Sequence, residues 1–375
     1  MSINLVDKDV QSMLLPLNLM QYIAFCPKYC IKNNFISINS LFSNFISFCG
    51  LLIFLSSFLY RNTLIAQSLG HSFTVFMYIT AYFDFVYYCC GYVMNFIVGI
   101  MQTKNSVNFV LTFQNIHRFL NNETYSRNFK VLNWIIVILT VVGQTTIFAY
   151  FNITVGLSHY FIYISFIITV FDFNIIYATR LLGILENKLL LWSNNVLDLR
   201  EIGEIYDENY CRNMYLAYVD ILKCYELHKV CFQEYICFYI TETFLHSLIC
   251  IQVSIEMCKM AASRGNISTI GTAILSTMSV LLWILKDLFW QLLFCRQCEK
   301  FYSSMENVPD YCTLILKTSC SESVRRLCKN VRRVHRARFS KLRVCSLFDA
   351  GAALQLSLMV LLADYTIVLL QFAFL

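Results

Sequence analysis

Five acids and one base lie inside apolar stretches of this chain: Asp84, Asp172, Glu242, Asp287 and Asp364, with Lys286. A charged side chain at membrane depth costs roughly 2.5–3.5 kcal/mol on insertion scales, so it normally faces protein or water and finds a partner. Glu242 and Asp287 read as structural pairs or as snorkelling side chains at span ends. Asp172 has Arg180 two turns further on, and Asp84 lies among Tyr82, Tyr87 and Tyr88, whose hydroxyls can hold it. Asp364 is different. Gln371 follows it by two helical turns, and Ile367 and Val368 fall between them on the same face. Acid, apolar girdle and amide in that order suit the wall of a pore: a carboxylate ring attracts cations and an apolar ring gates by drying. The competing reading is packing or hydrogen bonding within one subunit.

A second set is polar and aromatic. Tyr78 and Tyr82, Gln144, His159 and Tyr163, His246 and Gln252, and Thr272 fall in the outer halves of successive apolar stretches. Small-ligand sites are mostly apolar and aromatic with a few convergent polar groups, often between helices. These residues therefore make a candidate ligand pocket, although aromatics also line interfaces and bundle cores in any membrane protein.

Enzyme chemistry finds no residues to carry it. There is no Gly-x-Ser-x-Gly, His-Glu-x-x-His or Gly-x-x-x-x-Gly-Lys, and no pair among the six histidines has metal spacing. Cys295 and Cys298 form a lone Cys-x-x-Cys, and a zinc site needs about four ligands. The seventeen cysteines fall in spans or in loops placed in the cytosol, where thiols stay reduced. No catalytic residue, metal or cofactor is expected.

The elements that must position these residues are membrane helices. The chain is 58% hydrophobic and 14% charged, against about 25% charged in soluble domains. Its apolar residues come in blocks of about 20 or more. The expectation is an all-α polytopic membrane protein with seven transmembrane helices over roughly 35–60, 72–100, 131–152, 157–179, 235–258, 267–295 and 347–375. The corresponding regions are a cytosolic leader (1–34) carrying an interfacial helix, spans one to four (35–179), and a cytosolic helical connection (180–234). Spans five and six (235–295), a cytosolic basic helical segment (296–346) and the last helix (347–375) follow. No signal peptide is apparent, so the first span is expected to act as the signal anchor. The ligand site would draw on spans two to six.

Charge orients the bundle. All but four of the 29 basic residues fall in the leader and in the connections after the second, fourth and sixth spans. Arg61, Lys259 and Arg264 fall on the other side and Lys286 within a span. By the positive-inside rule the N-terminus is cytosolic and the C-terminus extracellular. The sequons at Asn152 and Asn266 then fall outside and are candidate glycosylation sites, while the one at Asn122 falls inside.

The connections are helical too. Leu181, Leu182, Leu185, Leu189 and Trp192 recur at three- and four-residue steps, as do Tyr215, Tyr218, Val219 and Leu222. The stretch from Ser321 to Arg343 reads as a basic helix. Val324, Leu327, Val331 and Val334 keep helical spacing through its charges, which favours packing over lying on anionic lipid. A nucleic-acid role for that basic block is not expected in a membrane protein.

Tyr365, five residues to Leu370, then Gln371 and Phe372 resemble the Thr-Tyr, five apolar, Gln-Phe signature that ends insect gustatory receptors; Asp364 replaces the family's Thr. The run Phe339, then Val344 to Asp349, is similar to the segment before the last helix of that family. Elsewhere the chain resembles the family in layout alone. The resemblance implies a gustatory receptor acting as a tastant-gated, non-selective cation channel in the plasma membrane of a sensory dendrite. It implies a homo- or hetero-tetramer with other gustatory receptors, joined through the cytosolic ends of the last four helices. The final helices would line one central pore, with Asp364, Ile367, Val368 and Gln371 as its lining and gate. Bitter or plant-derived tastants are favoured over sugars. A G-protein-type receptor would need the opposite orientation, and a transporter would show broken helices in inverted repeats.

Overall fold

The computed structural model describes residues 4–68, 75–155, 160–201, 208–264, 267–317 and 320–374. The chain runs through α1 (Lys8–Ile23), β1 (Cys30–Lys32), β2 (Phe35–Ser37), α2 (Leu41–Ser68), α3 (Val75–Met101), α4 (Thr103–Phe119) and α5 (Glu123–Val155). It continues through α6 (Tyr160–Glu201), α7 (Glu208–Arg264), α8 (Ile267–Leu316), α9 (Glu322–Arg338), β3 (Arg343–Val344), β4 (Phe348–Asp349) and α10 (Ala352–Phe374). Among the described residues, seven helices are long and apolar enough to cross a membrane: α2, α3, α5, α6, α7, α8 and α10. Apolar blocks with only three prolines leave little to break a helix.

Helix length is the main departure from expectation. The described residues of the connection expected as helical over 180–234 are continuous with the flanking spans: α6 runs unbroken for 42 residues and α7 for 57. The periodic apolar stripe explains why. Leu181, Leu182, Leu185, Leu189 and Trp192 are all buried, as are Tyr218 and Leu222 of α7, so helix propagation continues wherever a packing face continues. The Trp192 indole N–H donates to the Met214 carbonyl at 2.8 Å, locking α6 to α7 there.

Short elements gather at the same end of the bundle. α4 lies against α7, and α9 packs on α7 and α8. Ser321 caps α9 by accepting the Val324 N–H. Val324, Leu327 and Val331 are buried and Val334 is partly buried, as the spacing predicts; Arg325, Arg326, Arg333, Arg336 and Arg338 are exposed, while Arg332 is half-buried.

The leader helix is docked on protein rather than only on an interface. Val10, Met13, Leu14, Leu17 and Met20 of α1 are buried, and α1 contacts α5 and α6, while Leu15, Leu19, Tyr22 and Ile23 remain exposed. The β1–β2 hairpin that follows was not foreseen. Its tight turn is Asn33-Asn34, both at positive φ, the conformation asparagine tolerates best among residues with a Cβ. Just before it, the Lys28 ammonium lies 3.7 Å from the ring centre of Tyr235, tying the leader to α7.

Candidate functional site: a buried charge network and a peripheral helix

On α3, Asp84 and Tyr88 are one turn apart and point at α2 and α7. Arg61 of α2 pairs with Asp84 at 2.8 Å, and His246 Nδ1 of α7 lies 3.2 Å from the other carboxylate oxygen. The Tyr88 hydroxyl donates to Glu242 at 2.8 Å and lies 3.5 Å from the same His246 nitrogen. Tyr239, Glu242, Thr243 and His246 recur at three- and four-residue steps, so one stripe of α7 carries them. Gly91 lets α3 approach: a Cβ there would collide with the Phe238 ring.

The same stripe reaches a second cluster. Lys286 of α8 bridges two carboxylates, Asp172 of α6 at 2.6 Å and Asp287 at 2.7 Å. Asp172 also accepts from the Gln144 amide of α5 at 2.7 Å and from the Tyr239 hydroxyl at 3.1 Å. Trp283 joins the two clusters, with Lys286 4.7 Å from its ring centre and the His246 ring 5.9 Å away. Six helices therefore converge on one polar core inside an apolar bundle. Buried ion pairs of this kind fix which helix meets which, since removing one partner strands a desolvated charge.

These partners correct two expectations. Asp84 is held by Arg61 and His246, not by tyrosine hydroxyls. Asp172 pairs with Lys286, not Arg180, which instead donates to Asn133 at 2.7 Å and covers the Phe129 ring. Tyr88 was picked out as a partner for Asp84 and instead serves Glu242, while Arg61 and Tyr239 did not stand out in the sequence. For Arg61 a signal existed, a lone arginine at the end of an apolar run, but loop counting placed it in solvent.

Of the pocket residues, Gln144 and His246 belong to this network. Tyr82 and Tyr163 are exposed on α3 and α6. Gln252 lines a separate cleft of about 450 Å³ between α7 and α10, with Leu248, Glu256 and Lys259 on one wall and Tyr365, Leu369 and Phe372 on the other. The side chains of Tyr78, Asn152 and Thr272, and all of His159 and Asn266, lie outside the described residues. Among those described, no His, Cys, Asp or Glu group has the arrangement of a metal site. Cys295 and Cys298 are buried free thiols.

α10 stands apart from the other spans. Only 6% of its apolar window is buried, against 83% for α6. Tyr365 approaches Phe244 of α7, ring centres 6.1 Å apart. Asp364, Ile367, Val368 and Gln371 occupy a different face and are exposed. No family model matches this chain, and no curated protein does.

Proposed function

We propose that the chain is a chemoreceptor of the insect gustatory type, a tastant-gated, non-selective cation channel for bitter or plant-derived compounds. The observation that carries the reading is α10. A largely apolar helix with an acid and an amide on one exposed stripe has more surface than one chain covers, and four copies around an axis would bring Asp364, Ile367, Val368 and Gln371 together. In that arrangement the N-terminus is cytosolic, the C-terminus extracellular, and the protein resides in the plasma membrane of a sensory dendrite. Of the motif residues Tyr365, Gln371 and Phe372, Tyr365 and Phe372 line the cleft shared with α7 and would report the state of α7 to the pore helix.

The test is expression in a cell line with a calcium reporter, against a tastant panel, with whole-cell current recorded in parallel. A tastant-evoked cation current that persists when G-protein signalling is blocked is the expected result. A calcium signal that vanishes under that block, with no current of its own, would remove the channel reading.

A further inference from the structure

The buried network holds four carboxylates: Asp84, Asp172, Glu242 and Asp287. Facing them are two permanent cations, Arg61 and Lys286, and His246, which adds a third when protonated. Three of the acids have an ion partner. Glu242 has the hydroxyl of Tyr88 as its hydrogen-bond partner and is 3% exposed. The remaining titratable groups around it, the phenols of Tyr87 and Tyr239 and the Cys250 thiol beside His246, supply no positive charge. Even with His246 charged, the core carries one negative charge too many. A carboxylate so far from water, with no ion partner, takes up a proton rather than remain ionised.

A second observation points the same way. The Thr243 hydroxyl, 2% exposed and on the α7 stripe between Tyr239 and His246, has no hydrogen-bond partner, and neither has the Gln144 carbonyl oxygen whose amide nitrogen binds Asp172. The core therefore keeps two oxygens, Thr243 Oγ1 and Gln144 Oε1, whose capacity to accept an O–H is unused.

We propose that Glu242 binds one exchangeable proton from solution and stands here as a neutral carboxylic acid, making the centre of the bundle a proton-binding site. The step is a single O–H bond formed at the carboxylate, with the Tyr88 hydroxyl still donating to its other oxygen. Because Tyr88 is on α3 and Glu242 on α7, any motion that parts those helices hydrates the acid and releases the proton. Opening is then linked to pH; that last link rests on the channel reading, and proton binding itself does not.

Infrared spectroscopy of the purified full-length protein in lipid nanodiscs reads the site without any channel activity. Near neutral pH the protein should show the carbonyl stretch of a buried carboxylic acid that shifts in heavy water, and Glu242→Gln should remove it. Lys286→Met, which takes away a cation, should roughly double the band. Should Glu242→Gln fail to fold, Asp287→Asn restores charge balance with Glu242 intact and should also abolish the band. Absence of the band in the unsubstituted protein, or its persistence in Glu242→Gln or Asp287→Asn, would overturn the proposal.

Discussion

The Glu299 carboxylate of α8 accepts the backbone N–H of Ala352, the first residue of α10, at 2.9 Å. It occupies space that a side chain at Gly351 would need, since a Cβ there would collide with Glu299 Oε1. One carboxylate thus caps α10 and fixes where it starts relative to α8. Loss of such a cap costs about 1 kcal/mol. Glu299→Ala and Gly351→Ala should both loosen the start of α10 and, if the proposed channel function holds, raise the current without ligand roughly fivefold at unchanged surface expression. Basal currents in both variants no higher than in the unsubstituted protein would mean that the cap has no part in holding the proposed channel shut.

Tags at the two termini test orientation. An epitope after Leu375 should stain on intact cells, and one at Met1 only after permeabilisation, because the basic residues concentrate in the leader and three connections. Reversed staining would end the channel reading and favour a G-protein-type receptor.

If the chain assembles as the proposed tetramer, the exposed stripe of α10 predicts three separable effects. Asp364→Asn should lower cation conductance or calcium permeation severalfold while leaving tastant sensitivity in place. Val368→Ala should make the closed channel leak by trimming the dry ring. Cysteine at Gln371 should react with a charged thiol reagent from outside and change the current. If Asp364→Asn conducts normally and Gln371→Cys is inert with and without tastant, this face of α10 does not line the pore.

Acid should loosen the end of the bundle where α4 packs. His117 of α4 is buried against Phe113, and burial, with the nearby Lys188, pushes its imidazole down to about 4 from an ordinary 6.5. The folded protein keeps His117 neutral while the unfolded chain protonates it, so the unfolded state binds more protons and stability falls as pH drops from about 6.5 through about 4. His117→Gln should flatten that part of the thermal-stability profile against pH. An unchanged slope would assign the acid sensitivity to other groups.

Seven spans and the packing of α9 were legible because apolar blocks and three- and four-residue periodicity are local signals. The length of α7 was not, since its N-terminal half alternates charges and reads as a separate amphipathic piece until α4, α6 and α9 cover it. The acids at membrane depth were visible one at a time. Their partners were not: Asp172 meets Lys286 across 114 positions of sequence and Asp84 meets His246 across 162, distances at which no spacing rule operates. Gln144 and His246 were singled out for polarity in an apolar setting, and that criterion found the network without revealing its geometry.

α7 spans 57 residues without a break, which at 1.5 Å per residue makes a rod about 85 Å long. The charge network grips it a little past its midpoint, around Glu242 and His246. A stiff rod held near its middle is a lever: a tilt of one degree shifts the two ends by a combined ~1.5 Å in opposite directions. Swinging the end that lines the α10 cleft must therefore swing the end clasped by α4 and α9 the other way. A displacement too small to see at the fulcrum becomes a mechanical signal at both extremities of the molecule.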